Sequence, residues 1–185
     1  MEALITSTIS VAIAEIGDKT QLLALILAAR FKNKTAIILG MLLATLLNHF
    51  AAAWLGEWLM SYVTPITVRY WVAGALFSLA LWILIPDKVD AKESRFYVLG
   101  PFLATFSLFF LAEIGDKTQI ATMVLAAKYN DLTLVVAGST LGMMIANVPV
   151  IFLAQFSADK LPMLWIHRIC AVLFVIQGIA TLLWP

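Results

Sequence analysis

The octapeptide AEIGDKTQ occupies residues 14–21 and recurs without a change at residues 112–119. Each copy lies in an apolar stretch with no other acidic or basic side chain nearby. An Asp, Glu or Lys at the centre of a bilayer costs about 2.5–3.5 kcal/mol on insertion scales. Facing lipid, the six motif charges would together cost about 15–20 kcal/mol, more than the whole stability of a typical domain. A lysine stem cannot carry its charge from mid-membrane to an interface about 15 Å away. The six groups must therefore turn inward and compensate one another.

The rest of the chain places these stretches in a membrane. Of 185 residues, 63% are hydrophobic and 12% charged, whereas soluble domains are about one quarter charged and under one half apolar. A net charge of +1, with no basic cluster beyond Arg30, Lys32 and Lys34, gives nucleic acid nothing to bind. The lone Cys170 excludes an intrachain disulfide and a cysteine-built metal site. The opening residues MEALITSTIS lack the positive n-region of a signal peptide, so the first apolar stretch is expected to be retained.

Apolar stretches fall at about 4–29, 35–62, 66–85, 98–127, 132–156 and 163–184. Each is long enough to cross the hydrocarbon core as a helix. Breaks come at 30–34, Pro65, Pro86 with a charged run to Arg95, 130–131 and 159–162. The motif copies are 98 residues apart, and the same offset relates Leu-Ala-Ala at 27–29 to 125–127, Thr35 to Thr133 and Gly40 to Gly138. The expected fold is an all-α membrane protein of six transmembrane helices, built from two three-helix repeats. The first covers 1–90, with a cytoplasmic connector starting near 86, and the second covers 96–185. Three helices per repeat insert the second copy upside down, a transporter architecture with substrate sites at the midplane. Loops one, three and five hold eight Lys and Arg against two, Arg69 and Lys128, on the other side. The positive-inside rule then makes the odd loops cytoplasmic and puts both termini outside.

On a continuous helix, Glu15 and Lys19 stand at i,i+4 with the acid first, a favourable ion pair, and Asp18 shares their face. Glu113, Asp116 and Lys117 repeat the pattern. Each helix carries a net −1, and two facing helices carry −2, the charge a divalent cation neutralises. A purely structural cluster accounts for the Glu–Lys pairs but leaves Asp18 and Asp116 unpaired. Glu15, Asp18, Glu113 and Asp116 are therefore the candidate metal ligands, with Lys19 and Lys117 balancing charge. Further oxygens can come from Gln21, Gln119, Thr20, Thr118, Asn48 and Asn147. An all-oxygen set suits Mg²⁺, Ca²⁺ or Mn²⁺ better than copper or zinc. Four acids this close cannot all stay charged when no cation is bound, so protons are shared among them and exchange with the cation. Gly17 and Gly115 serve close helix packing or, as a second option, local unwinding. His49 is a weak relay candidate, since its repeat counterpart is Asn147. Met41, Met143 and Met144 read as packing, Gly138 and Gly142 as a packing face, and Trp58, Trp71, Trp165 and Trp184 as interfacial anchors.

The two copies resemble the duplicated Glu-x-Gly-Asp-(Lys/Arg)-(Thr/Ser) signature of the Gdt-type cation exchangers, which include MneA-like bacterial manganese exporters and Golgi manganese/calcium–proton exchangers. The resemblance covers essentially the whole chain. It implies Mn²⁺ transport, with Ca²⁺ in some members, coupled to protons. Its binding carboxylates map onto Glu15, Asp18, Glu113 and Asp116. The compact form resembles a bacterial member exporting manganese through the inner membrane, with both termini periplasmic. The metal ion and protons are substrates, no resident cofactor is expected, the lipid bilayer is the surroundings, and the oligomeric state is left open. Two other classes compete. A passive divalent-cation channel would show flux without proton coupling. An intramembrane aspartyl protease has a Gly-x-Gly-Asp motif, but Glu15 stands where its first glycine belongs, and each aspartate here has a lysine neighbour.

Overall fold

The structure is a computed structural model describing residues 1–62, 64–85, 94–153 and 163–183. The connector starting near 86, the break at 159–162 and Trp184 lie outside the described residues. Helices dominate: α1 (Glu2–Glu15), α2 (Lys19–Arg30), α3 (Lys34–Met60), α4 (Pro65–Trp82), α5 (Gly100–Glu113), α6 (Lys117–Tyr129), α7 (Leu132–Phe152) and α8 (Met163–Leu183), with a 3₁₀ segment (Ser94–Leu99) leading into α5.

Local chemistry explains the ends. Asn33 and Asp131 cap α3 and α7, each accepting from a backbone N–H three residues on, at 3.1 and 3.0 Å. These caps are themselves 98 residues apart. Proline opens α4 and α5, where its missing N–H costs nothing. Helix α3 carries apolar side chains on both its inner and its outer side. Ile37, Met41, Ala44 and Ala53 are buried, while Leu39, Leu42, Leu43, Leu46, Leu47 and Phe50 are exposed. Such a surface suits lipid on its outer side.

Among the described residues, three helices are long and apolar enough to cross a membrane, Lys34–Leu59, Phe96–Glu113 and Leu132–Phe152, with shorter apolar helices at Ile66–Trp82 and Ala171–Leu183. The first and fourth expected spans are not continuous helices. Each is cut at its motif, between α1 and α2 and between α5 and α6.

Helix packing repeats between the halves. α1 lies on α7 as α5 lies on α3; α2 meets α7 as α6 meets α3; α1 meets α6 as α5 meets α2. The match reaches single residues. A Cβ on Gly138 would stand 2.5 Å from the Leu4 carbonyl oxygen, and one on Gly40 would stand 2.6 Å from the Phe102 carbonyl oxygen. Leu4 and Phe102 are again 98 residues apart. These glycines let backbones touch, as small residues do between membrane helices. The exchange is incomplete in the third helices: α4 and α8 pack on each other, but α4 also packs on α6, whereas α8 also packs on α1.

Candidate metal centre

Both motifs break their helix at the glycine. Gly17 has φ +85° and Gly115 φ +74°, values that favour glycine because a Cβ would crowd the backbone. Glu15 and Glu113 therefore end α1 and α5, and Asp18 and Asp116 stand with extended backbone as the N-cap residues of α2 and α6. The expected i,i+4 ion pair inside each motif does not form, because no helical turn connects glutamate to lysine. Unwinding, rather than close packing, is what Gly17 and Gly115 provide. Each motif fastens its own break. The Gln21 Oε1 accepts from the Gly17 N–H at 2.9 Å, and the Gln119 Oε1 from the Gly115 N–H at 2.7 Å. These oxygens, expected as candidate ion ligands, hold the backbone instead. The Gln21 amide also donates to the Ala146 carbonyl on α7 at 3.0 Å.

The breaks bring three carboxylates together. Glu15, Glu113 and Asp116 each offer an oxygen within 4.8 Å of the others. The two glutamates are fully buried and Asp116 is 3% exposed. Asp18, also buried, lies outside this group. The Thr20 hydroxyl donates to Glu15 Oε2 at 2.5 Å, and the Thr118 hydroxyl lies 3.2 Å from both Glu113 Oε2 and Asp116 Oδ2. Both threonines thus orient motif carboxylates. The Asn147 amide donates to Glu15 Oε2 at 3.4 Å and to the Met143 carbonyl at 3.1 Å, which puts it at the rim of the cluster. The Asn48 amide donates to the Phe110 carbonyl at 3.1 Å, so it ties α3 to α5. His49 is fully buried with neither ring nitrogen hydrogen-bonded.

The two lysines, expected to balance charge within their own motifs, have other partners. Lys19 crosses to the other motif, its Nζ 2.6 Å from Asp116 Oδ1. The Lys117 Nζ donates to the Ile85 carbonyl beyond the end of α4, at 2.8 Å. Three carboxylates and Lys19 sum to −2 when all are ionised. Glu15 Oε1, Glu113 Oε1 and Asn147 Oδ1 are buried without a hydrogen-bond partner. Orphaned buried acceptors are costly, and a cation satisfies several at once. The donor set, carboxylate and amide oxygen, fits a hard divalent ion.

Comparison with known proteins points the same way. The profile of the family described as "Divalent cation/proton antiporter GDT1" matches residues 3–91 and 101–184. A Vibrio cholerae serotype O1 protein named "Putative manganese exporter" is 50% identical over 182 residues, 98% of this chain and 90% of its own length. A GDT1-like protein of Synechocystis sp. is 28% identical over 92% of each chain. A further relative, GDT1-like protein 3 of Oryza sativa, is 26% identical over all of this chain and 75% of its own. No solved structure matches.

Proposed function

Because the chain belongs to the GDT1 family of divalent cation/proton antiporters, membrane transporters rather than enzymes, we propose that it exports Mn²⁺ from the cytoplasm in exchange for protons. Glu15, Glu113 and Asp116 hold the ion, and Asn147 adds an amide oxygen. Asp18 belongs to the same acidic set and is reached during the cycle. The observation that carries this reading is the convergence of three buried carboxylates within 4.8 Å, contributed by two separate helix breaks. Their unfilled buried oxygens support it, as does the name of the Vibrio relative. Ca²⁺ is the second ion whose oxygen chemistry this donor set accepts.

The architecture of the proposal is six spans in two inverted repeats, 1–90 and 96–185, with the site between them. The repeated helix pairings and the equal caps at Asn33 and Asp131 support the repeat. The inner membrane of a bacterium is the setting, with both termini periplasmic and odd loops cytoplasmic, on the distribution of Lys and Arg. Proton coupling follows from charge. When the cation leaves, three carboxylates face one lysine in low dielectric, and protons are what can restore the balance.

Everted vesicles with an internal pH reporter test this. Mn²⁺ uptake should move protons the opposite way, Ca²⁺ less so and Mg²⁺ least, and Glu15→Gln should abolish uptake at normal abundance. Mn²⁺ flux that never moves protons would instead make the protein a channel. The protease reading loses its footing in the geometry, since its dyad needs two aspartates sharing a proton. Here Asp116 faces two glutamates and Lys19.

A further inference from the structure

Lys19 and Lys117 occupy the same position in two identical octapeptides, yet they do different things. The Lys19 ammonium lies 2.6 Å from Asp116 Oδ1, across the interface between the motifs. The Lys117 ammonium donates to the main-chain carbonyl of Ile85 at 2.8 Å, where the turn after α4 ends. Lys117 is 5% exposed, while the Lys19 side chain is 24% exposed. Asp116 is one of the three clustered carboxylates. One half of the molecule thus sets a positive charge on a candidate ligand of the other half.

An ammonium group is a compact point charge on a flexible stem. Seated on Asp116, it occupies one oxygen that a divalent ion would use, and it repels any cation bound to Glu15 and Glu113 a few ångströms away. Partial exposure gives it a way out, because the stem can swing without disturbing the helix that follows. The Lys117 ammonium is instead engaged by the Ile85 carbonyl, just beyond the end of α4. We propose that Lys19 is a tethered counter-ion that competes with the transported cation for Asp116, lowering the cation's affinity and speeding its release, while Lys117 fastens the end of α4 and does not compete. Lys19 can take this role only if Glu15, Glu113 and Asp116 form the cation site, as proposed above.

Competition predicts a sign that a merely structural lysine would not give. Removing Lys19 should tighten Mn²⁺ binding by about tenfold, the scale of one charge-assisted hydrogen bond, and should lower KM and kcat together in vesicles. The metal-free full-length protein should melt earlier, yet gain more from added Mn²⁺. The experiment is Mn²⁺ titration calorimetry and thermal unfolding of purified Lys19→Met, Lys19→Gln, Lys19→Arg, Lys117→Met and Glu15→Gln. Lys19→Met and Lys19→Gln should both bind Mn²⁺ more tightly, either one sufficing if the other cannot be purified. Lys19→Arg should stay near wild type, and Lys117→Met should not tighten binding. Unchanged or weaker binding in the uncharged Lys19 variants overturns the proposal, and so does equal tightening in Lys117→Met. Glu15→Gln separates the two levels. Wild-type-like Mn²⁺ binding in that variant overturns the cation site itself. Its loss of binding, together with an unaltered affinity in Lys19→Met, overturns only the counter-ion.

Discussion

At the scale of single residues, the acids were legible because burying a charge demands a reason, and no other part of the sequence supplied one. Their unequal placement was not legible. Two identical octapeptides give no hint that Asp116 joins Glu15 and Glu113 while Asp18 stands apart, because that difference arises from tertiary packing. The difference has a measurable consequence in Mn²⁺ binding to the purified protein. Asp116→Asn should weaken binding by about tenfold or more, equivalent to about 1.4 kcal/mol, and Asp18→Asn should cost clearly less. Thr118→Val should fall between them, since its hydroxyl touches two of the three carboxylates without supplying charge. Calorimetric titration of the three variants under one buffer orders them.

At the scale of helices, spans two and five follow from apolar length and from the caps at Asn33 and Asp131. Spans one and four mislead, because hydropathy measures how greasy a segment is and not whether its backbone is continuous. Gly17 and Gly115 were the available signal, but glycine in a membrane helix marks close packing as readily as a break. The glycines can now be separated by experiment. Gly115 has φ +74° and open space around its missing Cβ, so Gly115→Ala should lose about 1–2 kcal/mol from backbone strain alone. At Gly138, φ is not the obstacle; a Cβ there meets the Leu4 carbonyl and Ser7, and Gly138→Ala should destabilise by about 1–3 kcal/mol through overpacking. Gly74, with nothing within 4 Å, is the contrast: Gly74→Ala should be neutral or should gain up to about 1 kcal/mol of helix propensity. Thermal unfolding of the three variants in one detergent checks all three signs.

At the scale of the whole molecule, the repeat was written in the sequence as an offset, and the packing honours that offset down to paired glycines and their carbonyl partners. The offset holds only in part for the third helices: α4 and α8 pack on each other, but their further neighbours differ. The proposed orientation is open to direct test: reporter fusions at either terminus should be active only in the periplasm. Coupling is open to another. Making the outside more acidic should accelerate Mn²⁺ export, and a protonophore that collapses the gradient should slow it to the rate set by the metal gradient alone. One last consequence comes from Gln21 and Gln119. Since each motif ties its own chain break with a side-chain amide, the backbone of the proposed site is set before any ion arrives, and loading requires Lys19 to move but no refolding. Shedding water from the ion then becomes the slow event. Mg²⁺, which gives up its hydration reluctantly, would be turned away by the clock rather than by the size of the cage.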